Sequence, residues 1–330
     1  MRLTLILCFT FLVSLGASGP LAAWDSVGHR LSAAVALEFV DEQTREKLIE
    51  ILSAHPRWQQ DFLAAIPDFV DQSNTQALNQ WLLGQAAYWP DIARGLPDDE
   101  RRRYNRPSWH YTDGAWMRGA TQVQGNVYVD LTPFADIPGE LAARIDSEDD
   151  VSNVVTAIDY NTRLLFDSSV SAPDRAVALC WVLHLIGDIH QPLHAGSLFS
   201  PVTFETGDRG GNGIPIEDRN LHARWDSALA GGGVARELEP VVEFVNSETA
   251  GSPQELDWTI WLNESREVLH SHVYSRNILA EIRSADANRR EMNPLTLTTD
   301  YVNQMQSIAR QRLGLAGYRL ALLFESRLPD

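Results

Sequence analysis

"HLIGDIHQPLHAG", residues 184–196, sets three histidines and an aspartate at the end of a run that is otherwise apolar. Over 173–190 hydrophobic side chains recur around the whole helical repeat, which predicts a helix buried on every side and therefore a helical core around it. His184 and Asp188 stand four residues apart, so a helix places both on one face, one turn from each other. Pro192 ends or bends that helix soon after Asp188, which lets His194 turn back toward the same point.

A second pair, His222 and Asp226 in "NLHARWD", repeats the His-x-x-x-Asp spacing. One such pair is ordinarily a solvated or capped pair. Two of them in apolar segments, with His194 nearby, place unpaired charge where burial costs several kcal/mol, and a cation is the simplest compensation. No lysine lies within 184–196, and Arg224 is the only base beside the second pair, so a metal ion is the expected partner. Imidazole and carboxylate ligands without thiolate suit zinc in a catalytic site. His190, separated from His194 by Pro192, reads either as a direct ligand or as a supporting or core residue. His55, beside Pro56, is expected at the surface, and His270 and His272 in core or on surface rather than on a metal.

Outward from this stretch, helical periodicity recurs over 29–40, 43–53, 149–168, 235–246, 256–281 and 301–325. Strand signals are few: Val123 to Leu131 alternates and reads as a short hairpin arm, as do pieces flanking the Gly- and Pro-containing loop 199–215. The expected fold is all-α: a single large helical domain with short β-hairpin and irregular loops.

At the amino terminus, Arg2, an apolar run from Leu3 to about Leu15 and the small residues ending at Ala23 form the pattern of a secretory signal. Residues 1–23 are therefore expected to be removed, leaving a soluble, exported domain over 24–330 that begins at Trp24, in a periplasm or outside the cell. Of the two cysteines, Cys8 lies in the signal, so the mature chain has Cys180 alone, in an apolar helix as core, and forms no internal disulfide. Loss of Arg2 takes the formal net charge from −17 to −18, which excludes a broad basic surface for phosphate backbones. Any phosphate ligand must be held locally.

The motifs "WDSVGH" at 24–29, "AAYWPDIAR" at 86–94, "WHYTD" at 109–113, "HLIGDIHQPLH", "GDRGGN" at 207–212 and "NLHARWD" occur in an order that resembles the S1/P1 nuclease family. "WLNES" at 261–265 and "GLAGYRLALLF" at 314–324 extend the resemblance over nearly the whole mature chain. The resemblance implies three zinc ions. Trp24, through its freed α-amino nitrogen and its carbonyl oxygen, would bind one together with His29; Asp91, His110 and His184 would hold a second, with Asp188 bridging the two; His194, His222 and Asp226 would hold the third. It further implies hydrolysis of single-stranded DNA and RNA to 5′-phosphate products by a zinc-activated hydroxide attacking phosphorus, with 3′-nucleotidase activity as an extension and a monomeric protein without stable partners. Arg94 matches an arginine that stabilises phosphoryl charge, its plain alternative being a surface ion pair. Tyr111 matches an aromatic that stacks on a base, Asp113 a carboxylate that binds base edges, and Asn212 a residue that shapes the site or contacts substrate.

The stretch "RGLPDDERRRYNRPS" between Asp91 and His110 reads as a solvated loop or as a local track for a strand backbone. Asn263-Glu264-Ser265 forms a glycosylation sequon within an expected helix. Two competing functions share the ligand set. Zinc-dependent phospholipase C also starts with Trp, but it typically ends its last helical pair with Glu where this chain has Asp226. A non-catalytic zinc-binding protein would need neither Arg94 nor an aromatic subsite.

Overall fold

The structure, a computed structural model, describes residues 24–112, 116–117, 120–121, 125–131, 145, 147–217, 219–249 and 255–328. The expected signal and Asp113 lie outside them. The long helices are α1 (Ser26–Phe39), α2 (Glu42–Ser53), α3 (Thr75–Ile92), α5 (Val154–Phe166), α6 (Ala172–Ile189), α8 (Gly233–Thr249), α9 (Trp258–Val268), α10 (Arg276–Asn288) and α11 (Thr299–Arg327); α4 (Asp98–Tyr104) and α7 (Leu221–Asp226) are short. Strands are confined, among the described residues, to three two-residue ladders. The all-α expectation therefore holds.

Most helix starts are written in the sequence as caps. The Asp25 carboxylate accepts from the backbone N–H groups of Val27 and Gly28 at 3.0 and 3.1 Å, and Asn153 forms a capping box with Thr156. Ser171 caps α6, with Pro173 in its first turn. At the other end of α6, Pro192 keeps Gln191 out of the helical region, at φ −84° and ψ 117°. The chain then makes one tight turn over Pro192–His194, capped by the Gln191 side chain accepting from the Leu193 N–H at 2.7 Å.

α6 is the central rod, packed by α5, α3, α2 and α1, and α1 in turn lies against α11, α3 and α8. Two apolar clusters result. One gathers Leu83, Trp89, Ile158, Leu179, Cys180 and Trp261 around α6; the other gathers Leu31, Val35, Trp225, Val241 and Leu313 around the first helix and the carboxy-terminal ones. The last turn of α6 reaches the seam between them. No described helix is long and apolar enough to cross a membrane.

Several expectations are corrected. The helix expected over 256–281 is interrupted: after α9 come a wide turn at Leu269–Val273 and then a new start, because the Ser275 hydroxyl caps α10 and the Tyr274 hydroxyl is drawn to Asp208 at 2.7 Å. The segment expected from 149 becomes α-helical only at Val154, after a single 3-10 turn at Glu148–Asp150 and the Asn153 cap. Val127–Tyr128 is no hairpin arm; it pairs in parallel with Leu198–Phe199, while Pro215–Ile216 does form a hairpin with Arg219–Asn220. The Arg-rich stretch after Asp91 is partly helical, since Asp98, Asp99 and Glu100 occupy the first turn of α4 and Arg101, Arg102 and Arg103 its last, each sign at the end the helix dipole favours. His55, expected exposed, is buried against Trp89 and Phe62, with ring centroids 4.4 and 5.0 Å away.

Candidate metal centre

Seven of the expected side chains, His29, His110, His184, Asp188, His194, His222 and Asp226, are buried together where α1, α6 and α7 meet the turn at 107–110; Asp91 joins them from the end of α3. Asp188 is the hub. Its Oδ2 lies 3.0 Å from His110 Nδ1 and 3.2 Å from His184 Nε2, and its Oδ1 lies 3.6 Å from both His29 Nε2 and His194 Nδ1. The His29 and His184 rings stack at 3.8 Å. Asp91 Oδ1 stands 3.8 Å from His184 Nε2 and 2.7 Å from the Arg94 guanidinium. Beyond the hub, His222 Nε2 lies 3.3 Å from Asp226 Oδ2.

Three sets of donors converge closely enough to share an ion: His29, Asp91 and His184; His110, His184 and Asp188; and His194, His222 and Asp226. The ring orientations are fixed from behind. The Nδ1–H of His184 donates to the Ala87 carbonyl at 2.7 Å, that of His194 to the His110 carbonyl at 2.6 Å, and that of His222 to the Gly210 carbonyl at 2.6 Å. Each of these rings therefore turns an unprotonated Nε2 toward the cluster, the arrangement metal-binding histidines use. His194 Nε2 and His222 Nε2 face each other at only 3.2 Å. Two lone pairs at that distance repel, so the geometry calls for a cation between them.

Burial pushes the carboxyls of Asp91, Asp188 and Asp226 up and drives the imidazoles of His29, His110 and His194 well below their ordinary value. His184 falls to about 4, chiefly through burial. Neutral imidazoles are what a metal needs as ligands. Oδ1 of Asp188, Oδ2 of Asp226 and both ring nitrogens of His29 have no hydrogen-bond partner among the described residues, although fully enclosed. Such atoms are expensive to bury unless something binds them.

Trp24, also buried, donates its indole N–H to the Gly187 carbonyl at 3.0 Å, which brings the first residue after the expected cleavage against α6. Gly28 and Gly187 permit this approach: a Cβ at Gly28 would stand 2.8 Å from Trp24 Cβ, and one at Gly187 3.1 Å from His29 Nδ1. The "GDRGGN" loop closes the other side. Gly210 and Gly211 have φ of 58° and 82°, and a side chain at Gly210 would meet the Leu193 carbonyl at 2.3 Å.

Arg94 forms the ion pair expected as its plain alternative, with Asp91 at 2.7 Å, and is 17% exposed at the edge of the cluster. Tyr111 follows His110 and is partly buried. Asn212 is tied into its own loop, donating to the Arg209 carbonyl at 2.9 Å and accepting from Asn220 at 3.4 Å. His190 does not face the cluster: its Nδ1 donates to the Ile186 carbonyl and its Nε2 accepts from Arg319, both at 2.7 Å, the supporting role. Two supports had no sequence signal of their own. Gln191 holds Asp226 Oδ1 at 2.7 Å, and Asp208 holds the Leu198 and Gly211 N–H groups together with the Tyr274 hydroxyl. Their small polar motifs, Gln-Pro and Gly-Asp, read equally as turns.

Comparison with known proteins adds an independent line. A family model described as S1/P1 Nuclease matches residues 24–328. Nuclease S1 of Aspergillus oryzae is 29% identical over 181 residues, 51% of this chain and 59% of the relative. Endonuclease 4 of Arabidopsis thaliana is 26% identical over 195 residues, 53% of this chain and 60% of the relative. Endonuclease 5 of the same plant is 30% identical over 159 residues, 44% of this chain and 48% of the relative. The chain thus spans about half to three-fifths of the length of these relatives.

Proposed function

The chain belongs to the S1/P1 nuclease family, and from that premise we propose that it is an exported enzyme that holds three zinc ions and hydrolyses single-stranded DNA and RNA to 5′-phosphate products, with 3′-nucleotides as further substrates. The observation that carries the metal reading is the approach of the two unprotonated nitrogens of His194 and His222 at 3.2 Å, beside a carboxylate oxygen of Asp226 that nothing else satisfies. The donor set fits zinc: imidazoles held by backbone carbonyls, carboxylates, and no thiolate.

In this reading Trp24 and His29 would hold one ion, Asp91, His110 and His184 a second, with Asp188 shared by these two, and His194, His222 and Asp226 the third. Bound zinc supplies Lewis acidity toward the phosphodiester and a water acidic enough to act at neutral pH. The chain does the rest. Asp188, with Oδ1 facing His29 and His194 and Oδ2 facing His110 and His184, would hold the neighbouring donor sets together. Arg94 pairs with Asp91 at the edge of the cluster, where its guanidinium would stabilise charge on the phosphoryl oxygens. Tyr111, in the residue after the His110 ligand, stacks on the base next to the bond being cut; Asp113 binds that base's edge and Asn212 borders the site. Stacking of this kind requires an unpaired base, which gives the preference for single strands. Three dications over three carboxylates also leave a local positive field, so an acidic protein still attracts phosphate.

Trp24 ligates through its α-amino nitrogen only after the signal is removed, so export completes the centre. The test compares mature protein beginning at Trp24 with the same protein carrying one extra amino-terminal residue, on a labelled single-stranded oligonucleotide, with zinc measured for both. Cleavage to 5′-phosphate ends by the Trp24 form, with zinc and activity reduced in the extended form, is expected. Zinc-replete Trp24 protein that leaves the oligonucleotide whole refutes the nuclease reading, and hydrolysis of phosphatidylcholine instead would replace it.

A further inference from the structure

Along α3, and bordered by Arg30 of α1, lies a cleft of about 840 Å³, walled by Arg30, Phe69, Trp81, Gln85, Ile92 and Val234. Two observations mark it as more than a gap between helices. Phe69 is 86% exposed, a large aromatic ring at the rim that the fold leaves in water. Arg30, set between helices, has its guanidinium 5.7 Å from the ring centres of both Trp81 and Tyr88 and donates to Gln85 Oε1. Arg30 forms no ion pair among the described residues, and Asp71 is the one carboxylate that lines the cleft. In a chain with net charge −17, a half-buried cation without a carboxylate is an unspent anion contact.

The cleft runs along α3 as far as the turn that carries Asp91. Trp81, Gln85, Tyr88 and Ile92 fall at i, i+4, i+7 and i+11 of α3, one stripe along its length, and Ile92 follows the ligand Asp91 directly. Arg30 likewise follows His29 on α1. Tyr88, between the two sites, senses the charges of Arg30 on one side and of Asp91 and Arg94 on the other.

We propose that this cleft is a second strand-binding subsite, which stacks a nucleobase on Phe69 and Trp81 and receives an adjoining phosphate on Arg30 while the strand is cut at the metal centre. The proposal rests on the nuclease reading above and adds to it a site remote from the scissile bond. Aromatic faces joined to a guanidinium are the chemistry that holds single strands without regard to sequence. Because the subsite is reached only by a chain that extends past the cluster, it acts on long strands and not on the shortest substrates.

The test is steady-state hydrolysis of a 12-nucleotide single strand and of a dinucleotide by the zinc-loaded mature protein and its Phe69→Ala variant. Loss of one stacking contact is expected to raise KM for the 12-mer by about tenfold, with kcat and both constants for the dinucleotide unchanged. Phe69 is exposed, so this variant folds; Arg30→Gln, checked by a melting curve, should raise the 12-mer KM likewise and flatten its dependence on salt. Unchanged 12-mer KM in Phe69→Ala overturns the subsite while leaving the nuclease reading intact. An equal change on both substrates also overturns it, by placing the effect at the metal centre. Wild-type protein that cuts neither substrate refutes the nuclease reading and the subsite with it. Binding of phosphatidylcholine vesicles that Phe69→Ala abolishes would assign the cleft to an acyl chain instead.

Discussion

Replacing Asp188 by Asn should remove metal from two positions at once while leaving the fold standing. The side chain is fully buried and its two oxygens face different imidazoles, His29 and His194 on Oδ1 and His110 and His184 on Oδ2. Asn is the same size but neutral, and one of its two terminal atoms is an NH2 group without a lone pair. Whichever way the amide turns, one set of imidazoles loses its oxygen, and both lose the charge. Removing one partner from a buried, charge-compensated site costs about 3–5 kcal/mol. At 1.4 kcal/mol per decade that is a loss of roughly 10²- to 10⁴-fold in metal affinity. The metal-free protein gains nothing to repel, since Asn needs no ionisation where burial already pushes the Asp188 carboxyl up. The assays are zinc per chain after transfer to metal-free buffer, and melting with and without a chelator. Wild type is expected to melt well below its loaded value once chelated, whereas the Asn variant, already short of zinc, should respond much less. Full zinc content and unchanged hydrolysis in the Asn variant would refute the bridging role.

Tyr111→Ala should raise KM for single strands by about 5- to 100-fold, the span of one stacking contact, with the zinc content intact; unchanged KM would remove Tyr111 from the base site. Gly28→Ala sets a small gain in helix propensity, up to about 1 kcal/mol, against a Cβ only 2.8 Å from Trp24 Cβ. Displacement of Trp24 should win, read as lost zinc and a melting point that falls toward that of chelated wild type; full zinc content with an unmoved melting point would contradict this. Glu264 pairs with Arg312 and Arg319, both buried, and Glu264→Gln should destabilise by about 2 kcal/mol, less than a fully enclosed pair because Glu264 is a third exposed; a melting curve superposable on wild type would contradict this. His55 is held neutral by burial, its pKa lowered to about 3 from 6.5. Between these values the unfolded chain binds the extra proton, so stability falls as pH drops below 6.5, by roughly 2.7 kcal/mol at pH 4.5. Urea midpoints at pH 7 and 4.5 should therefore converge more in His55→Gln than in wild type, and parallel losses would refute the assignment.

What the sequence made legible follows from range of interaction. α1, α6 and α11 were readable because their apolar side chains repeat over many turns and their ends carry Asp25, Ser171 and Thr298 as caps. α3 was not, since Gly84 and Pro90 interrupt it; Gly84 is required because its missing Cβ leaves room for the Arg30 side chain, 3.3 Å away. The parallel pairing of Val127–Tyr128 joins residues some seventy positions apart and leaves no local mark, so alternation alone suggested a hairpin. At the site, His184 with Asp188 and His222 with Asp226 were visible from spacing. That Asp91 and His110 join them came from the resemblance, because the docking of α3 and of the 107–110 turn onto α6 is a tertiary fact that no spacing encodes.

The placement of the cluster couples metal binding to the packing of the whole chain. Its side chains come from α1, α3, α6, α7 and the turns at 107–110 and Pro192–His194, and several are oriented by a carbonyl of another segment: His184 by α3, His194 by His110, His222 by the Gly210 loop. Rotating any one imidazole therefore breaks a hydrogen bond to a neighbouring element. The backbone adds its own ties, with the Asp25 N–H on the Asp226 carbonyl at 3.2 Å and the Thr112 N–H on the His194 carbonyl at 2.9 Å. Without a cation the same geometry gathers raised carboxyls and bare imidazoles at the seam of the two apolar clusters, where solvent cannot relax them. With cations, those groups become the attachment that joins the clusters. Among the described residues Cys180 is the one cysteine, buried and unbridged, so metal binding would supply a long-range link that no disulfide does there. On the proposed reading, the side chains that would hold the metal ions also tie the two apolar clusters together, which is why single substitutions among them should lower zinc content and thermal stability together.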